Sequence, residues 1–290
     1  MLKTSRKQKK SFNDLTPKEW TLLSKSVWPA REVSSIRESH HLEHGATFPV
    51  ALAERTIKMY SKVNDLVLDP FSGVGSTLIA AQHLNRNAIG FELYENFFNI
   101  TKKLLDQKSL FEDYSQKIIN DDCRTLDVHI PPSTVQLTFT SPPYADFIQR
   151  SIKDRATTHK KSRLVSHNKS VVKQYGQHVS DFGNLSYDAF LQEVTELMKK
   201  IFLVTKDGGY NIWVVKDHRD PQHGRPLIPV HSDIAAAGEK AGFKYHDLIT
   251  WDQNEQRSLV LLGYPTVFYT NINHSFLVVL RKTPQKSKKS

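Results

Sequence analysis

The stretch "DLVLDPFSGVGSTLIAAQHLNRNAIGFEL", residues 65–93, decides how the rest of the chain is read. "DLVLD" (65–69) is a short apolar run of strand length. "STLIAAQHLN" (76–85) reads as a helix, and "AIGFEL" (88–93) as a second strand. A strand, a helix and a strand within about thirty residues make a βαβ unit. Gly73 and Gly75 fall at the turn into the helix. They let the backbone turn tightly and approach a ligand closely, with a helix N-terminus immediately behind.

The same alternation continues outward. "YENFFNITKKLLDQ" (94–107) has helical spacing, and "QKIIND" (116–121) and "TVQLTFT" (134–140) read as strands. "SYDAFLQEVTELMKKIFLVT" (186–205) is a long amphipathic helix with Ser186 as its N-cap. "GYNIWVVK" (209–216) is a strand after a Gly-Gly turn, and "HSDIAAAGEKAG" (231–242) a helix closed by Gly242. "KYHDLITWDQ" (244–253) and "HSFLVVLRK" (274–282) follow with no helix between them. The pattern predicts an α/β fold of about seven strands. The sheet is mostly parallel with helices on both faces, and an antiparallel C-terminal hairpin lies at one edge.

Composition bounds the function. The chain has 290 residues, 39% hydrophobic and 24% charged, ordinary for a globular protein. No apolar run approaches the ~18 residues of a membrane span. The basic N-terminus lacks an apolar region behind it, so it does not read as a secretory signal. One cysteine, Cys123, excludes an internal disulfide framework. The expectation is a cytoplasmic protein without a membrane partner. Residues 1–39 read as a basic tail and lead-in, 40–282 as one domain, and 283–290 as a second basic tail. A net charge of +10 favours an anionic partner, nucleic acid above all, although a basic surface also serves solubility.

In an open parallel sheet, ligands sit outside the carboxyl ends of the strands. Three successive ends carry suitable residues: the glycine loop after residue 69, Glu92, and Asp121-Asp122. Each acid alone is equally a solvated loop residue. Together they describe a nucleoside pocket, with Glu92 placed for a ribose hydroxyl pair.

"DPFSGVGST" (69–77) with "TSPPY" (140–144) resembles the amino-methyltransferases of DNA, over most of residues 40–282. The resemblance implies a Rossmann-like methyltransferase fold and transfer of a methyl group from S-adenosylmethionine to an exocyclic amine. It implies that Asp69, Phe71, Gly73 and Gly75 hold the methionine part of the cofactor, Glu92 the ribose, and that Asp122 lies by the adenine. Pro70, Ser76, Leu93, Cys123 and Thr140 flank these positions and join the cofactor set. "HGATFPVALAERTI" (44–57) resembles the segment that covers the methionine end, through Phe48 and Pro49. The S-P-P-Y wording is similar to the cytosine-N4 branch, whereas D-P-P-Y or N-P-P-Y is usual for adenine N6, the alternative. The D-P-F wording is typical of enzymes whose catalytic motif comes first. Here the glycine loop precedes it, as in a circularly ordered variant.

The chemistry of "SPPY" fits that task. An exocyclic amine is a poor nucleophile because its lone pair is delocalised into the ring. Acceptors on both N–H groups pull the nitrogen toward a tetrahedral shape. The Ser141 hydroxyl and the Pro142 carbonyl supply two, Pro143 stiffens the turn, and Tyr144 offers a face for base stacking. Such a cup admits a base only when it is flipped out or single-stranded. Carbon-5 methylation of cytosine needs a cysteine nucleophile, and Cys123 reads as a small buried residue instead.

Two other patterns compete. "HHLEH" (40–44) fits H-x-x-E-H, but Gly45 follows and no helical periodicity supports it. "VKDHRDPQHGRP" (215–226) reads as a loop over the site. No metal is expected. For double-stranded DNA two segments stand out. The basic insertion at 149–183 includes Lys160, Lys161 and Arg163. The loop at 252–273 offers Gln253, Asn254, Gln256 and Arg257 to base edges, with apolar residues able to wedge into a stack. A cognate restriction endonuclease is a further expected partner. A non-catalytic nucleic-acid-binding module is the rival class, but such a chain should have lost Gly73, Gly75 or Tyr144, and all three are present.

Overall fold

A computed structural model describes residues 11–34, 48–106, 114–144, 178–220, 224–257, 259, 261–262 and 266–284. After the N-terminal helix α1 (Pro17–Leu23), strand β1 (Val27–Pro29) and the short α2 (Ala30–Val33), the elements run in chain order. They are α3 (Val50–Tyr60), β2 (Leu66–Asp69), α4 (Ser76–His83), β3 (Asn87–Phe91), α5 (Glu95–Asp106), β4 (Gln116–Ile119), α6 (Leu126–His129) and β5 (Val135–Thr140). Then come α7 (Tyr187–Val204), β6 (Thr205–Val215), β7 (His218–Asp220), β8 (Arg225–Ile228), α8 (Val230–Lys240), β9 (Lys244–Asp252) and β10 (His274–Arg281).

Eight strands form one sheet in the order β1-β9-β10-β6-β5-β2-β3-β4. Only β10 runs against the others: it is antiparallel to both β6 and β9, while every other neighbouring pair is parallel. The expected C-terminal hairpin is therefore present, but β1 pairs outside β9 and takes the edge. Three residues, one of them proline, are too short a run to announce a strand. β7 and β8 form a separate antiparallel ribbon. Its strands fall in and just after the stretch 215–226 that the sequence suggests as a loop. Among the described residues no helix is long and apolar enough to cross a membrane.

The central parallel strands β2, β3 and β5 are mostly buried because both faces of the sheet are covered there. Alternate side chains enter two cores. Trp213, Val215, Val278 and Leu280 face α7 and α8, meeting Phe190, Val194, Met198, Ile201 and Ile234. Ile212, Val214, Leu277 and Val279 face α3 and α4, meeting Leu52, Ile57, Leu78 and Ile79. Ser186 caps α7 through Ala189 N–H, as its sequence predicts. Strand order reverses between β2 and β5: β3 and β4 extend one way and β6 the other. That reversal opens a crevice at the carboxyl ends of β2 and β5.

Candidate active site

The ends of β2 and β5 and the start of α4 converge on one carboxylate. Asp69 is 1% exposed. Its Oδ1 accepts from Thr140 Oγ1 at 2.6 Å and Phe71 N–H at 3.1 Å, and its Oδ2 from Thr77 Oγ1 at 2.6 Å. Burial pushes its pKa up to about 6 against these hydrogen bonds. The glycine loop then folds back over β3. Gly73 and Gly75 take left-handed backbone, φ 54° and 83°, which side chains disfavour. Gly90 on β3 makes room for the loop: a Cβ there would meet Ser72 Oγ at 2.1 Å.

Glu92 sits just beyond β3 with its carboxylate held from both sides. Gly73 N–H donates to Oε2 at 2.8 Å and Tyr94 N–H to Oε1 at 2.9 Å. Burial is the main cause that pushes its pKa up to about 7, and the nearby charges of Asp69 and Asp181 add to it. Tyr94 also reaches a second acid, its hydroxyl donating to Asp181 Oδ2 at 2.6 Å. Beyond β4, Asp122 takes both Arg124 N–H, at 2.9 Å, and Arg124 Nη1, at 2.8 Å. The same guanidinium bonds Ser180 O at 2.9 Å and Glu193 at 2.6 Å, and lies 4.3 Å from the Phe182 ring centre. Arg124 thus fastens residues 180–182 to the end of β4.

The glycine loop, Glu92, Tyr94, Asp122 and residues 180–182 line one open, concave cavity. Of the predicted cofactor residues, Phe48, Pro70, Phe71, Gly73, Ser76, Glu92, Leu93, Asp122 and Cys123 line it. Asp69, Gly75 and Thr140 stand behind the wall as its support. Pro49 serves as N-cap of α3. Ser141, Pro142, Pro143 and Tyr144 all line the same cavity. Tyr144 packs on the core below, with the His218 ring 5.0 Å away at 70°. Burial pushes the pKa of its hydroxyl well above the usual tyrosine value. Cys123 is buried, and burial raises its thiol pKa well above the usual range. That leaves little thiolate for nucleophilic attack.

The wall also holds Asp121, one of the acids singled out at the strand ends, and residues that sequence reasoning missed: Tyr94, Ser180, Asp181 and Phe182 among them. Residues 180–182 fall within the stretch read as basic insertion. Their one sequence signal was "SDFG", an acid two places before a glycine, whose Asp181 Oδ1 accepts from Gly183 N–H at 2.7 Å. Of the proposed DNA contacts, Asn254, Gln256 and Arg257 are exposed. Gln253 is buried, and its side-chain oxygen accepts from Arg257 Nε at 3.0 Å. Lys160, Lys161 and Arg163, and the HHLEH stretch, lie outside the described residues. Among the described residues no group of three or more His, Cys, Asp or Glu is placed to hold a metal.

The chain is 41% identical over 98 residues to the type II methyltransferase M.MthZI of Methanothermobacter thermautotrophicus, covering 33% of this chain and 28% of that one. It is 35% identical over 92 residues to the type II methyltransferase M.BglI of Bacillus subtilis, covering 31% and 25%. These alignments span about a quarter of each relative's length. A solved putative DNA modification methylase from Thermus thermophilus is 22% identical over 58% of this chain and 53% of that one, with a TM-score of 0.36. A family model described as DNA methylase matches residues 2–103 and 135–290, which take in the glycine loop, Glu92 and the Ser141–Tyr144 cup. Matched over most of its length, the chain belongs to the N6/N4 DNA methylase family.

Proposed function

We propose that the protein methylates DNA on an exocyclic amine, with S-adenosylmethionine as methyl donor and the N4 amine of cytosine as target. The observation that carries this reading is the shared cavity. A nucleoside-type pocket and a cup of neutral acceptors open into the same space at the sheet's reversal point. The lining residues suit the donor molecule. Glu92 retains lone pairs for a ribose diol, and the wall carries Glu92, Asp121, Asp122 and Asp181 but no Lys, Arg or His among the described residues. That acidic wall complements a cationic ligand.

The bound cofactor supplies a methyl group on a sulfonium centre. The chain supplies position. Glu92 and the glycine loop hold the donor, and Asp69 fixes the loop relative to the end of β5. Ser141 and the Pro142 carbonyl accept the two amine N–H groups, which keeps the nitrogen lone pair out of the ring and aimed into the cavity. Tyr144 presents an aromatic surface to the base. No wall residue is needed as a covalent nucleophile, in keeping with the protonated Cys123. Cytosine is favoured over adenine by Ser141 at the first cup position. The basic segment with Lys160, Lys161 and Arg163, and the exposed Asn254, Gln256 and Arg257, supply phosphate and base-edge contacts to duplex DNA. A restriction endonuclease acting on the same site is the matching partner.

The test is direct. Unmethylated DNA is incubated with the protein and S-adenosylmethionine, digested to nucleosides and analysed by mass spectrometry. N4-methylcytosine is expected. N6-methyladenine would overturn the choice of base, and unmodified DNA the function itself.

A further inference from the structure

We infer that Phe268 is a wedge that enters the DNA stack and fills the gap left by the target base, held near the cup by Arg219. The inference rests on the amine-methylation reading and deepens it, by naming what keeps that base out of the duplex.

A base that swings into the cup leaves a gap in the stack behind it. Unless something occupies the gap, the base falls back. An apolar, flat side chain suits the gap, because it stacks on the neighbouring bases whatever their identity. Such a side chain has to be exposed in the free protein, close to the cup, and fixed relative to it.

The connection between β9 and β10 offers one. Asp252 pairs with His274 and Phe276 with Val215, so the connection leaves and re-enters the sheet beside the carboxyl end of β6, next to that of β5. An antiparallel bridge joins Leu262 to Tyr269, with Tyr269 N–H on Leu262 O at 3.3 Å, and brings the two arms of the connection together. Leu259, Leu261, Val267 and Phe268 are all exposed there, Phe268 to 74%. Such a set of exposed apolar side chains contributes little to folding and marks a contact surface. Phe268 is the aromatic among them.

The tie to the cup runs through the β7–β8 ribbon. His218, the first residue of β7, has its ring 5.0 Å from that of Tyr144. Arg219 follows it. Its Nη1 donates to Pro226 O on β8 at 3.1 Å, while Nε and Nη2 donate to Thr270 O at 3.3 Å and Thr270 Oγ1 at 3.1 Å. The guanidinium carbon also lies 5.1 Å from the Tyr269 ring centre. One side chain thus joins both strands of the ribbon to the two residues that follow Phe268. The surroundings fit a polyanion. Arg219 brings a cation to this edge, and Arg225 and Arg257 stand exposed on the ribbon and near the start of the connection. A second copy of a chain with a net charge of +10 would be repelled from the same face.

The test removes the ring and, separately, the need for it. Methylation sites are first mapped by sequencing DNA that the protein has modified. One such site is then placed in two duplexes, the first fully paired and the second with an abasic residue opposite the target base, which unstacks more readily. Single-turnover methylation of both is measured for wild type, Phe268→Ala, Phe268→Leu and Ser141→Ala, with cofactor affinity by calorimetry. Relative to wild type on the same duplex, Phe268→Ala should lower the rate on paired DNA roughly 5- to 100-fold, the range for one base–aromatic stack. On the abasic duplex it should lose less than about threefold, since little is left for the wedge to do. Phe268→Leu keeps an apolar wedge and should retain most of the rate. A wild-type rate for Phe268→Ala on paired DNA overturns the inference. So does an equal loss on both duplexes, which would mean that the ring does something other than hold the gap. Loss of cofactor binding in both Phe268 variants would make the ring structural and overturn it as well. So would sedimentation showing a wild-type dimer that Phe268→Ala dissociates, which would make this face a self-association surface. Ser141→Ala should instead lose its rate on both duplexes alike. Wild-type rates for that variant would remove the amine-methylation reading itself, whatever Phe268 does.

Discussion

On the β3 and β4 side of the cavity the wall is made of acids, each held by several donors. Glu92 takes Gly73 and Tyr94 N–H groups, Asp181 the Tyr94 hydroxyl and Gly183 N–H, and Asp122 the Arg124 guanidinium. On the β5 side, Ser141 to Tyr144 offer a hydroxyl, a carbonyl, a rigid ring pair and a phenol that burial keeps neutral. The first side stores charge and the second stores shape. Affinity for a cationic donor should therefore depend on the first, and the rate of transfer on the second, with little exchange between them.

The strongest test of that division lies on the β5 side. Ser141→Ala and Tyr144→Ala should each lower single-turnover methylation by at least ~100-fold, because transfer depends on alignment of the amine. Calorimetry should give near-normal cofactor affinity for both. A large loss of cofactor binding in either variant would show that the two sides are not independent.

The converse change is Glu92→Ala. It should weaken cofactor binding by roughly 1.5–3 kcal/mol, about ten- to 150-fold, the range for hydrogen bonds to a charged group. At saturating cofactor the single-turnover rate should stay within a few-fold of wild type. Unchanged affinity would remove Glu92 from the pocket.

The acid side should also titrate. Glu92 has a pKa of about 7 in the structure, so near neutral pH it is partly protonated. A cationic ligand favours its ionised form and draws that pKa down, so binding releases a proton. Affinity should rise with pH, by up to about tenfold from pH 6 to 8, and then level off. Calorimetry in buffers of different ionisation enthalpy reads the released proton directly, and Glu92→Gln should abolish the dependence. Stability moves the other way. The folded pKa lies above the usual 4.5, so the folded state holds the extra proton, and stability falls as pH rises from about 4.5 through 7. A denaturation midpoint that rose over that interval, with Glu92→Gln unchanged from wild type, would contradict the assignment.

The smallest expected effect is on the tie between the acids. Tyr94→Phe removes the hydroxyl on Asp181 but leaves the backbone bond to Glu92. Cofactor affinity should drop by about 0.5–1 kcal/mol, roughly two- to fivefold. A loss as large as that of Glu92→Ala would mean that Asp181, not Glu92, anchors the donor.

What the sequence made legible was local. The glycine loop, Glu92 and the S-P-P-Y turn announce themselves because their chemistry lies in consecutive residues at strand ends. Asp181 and Arg124 do not, because their value comes from where a distant stretch returns: Arg124 after β4 meets Ser180 and Glu193 only in the folded chain. β1 escaped for a different reason, since three residues carry no periodicity. Asp69 shows a third limit. Its place in the motif was readable, but only the three donors around it show that it supports the wall from behind.

That carboxylate has a consequence for how such a site tolerates rearrangement. The glycine loop and the cup are separated by the whole of α4, β3, α5, β4, α6 and β5 in the chain, yet they share one fixed point, because β2 and β5 are neighbours in the sheet. The donor-to-acceptor spacing is a property of adjacent strands and one side chain. It does not depend on which strand the ribosome makes first. A gene cut and rejoined in any connection outside that pair of strand ends would encode the same spacing, so motif order is free to drift while the reaction geometry stays put.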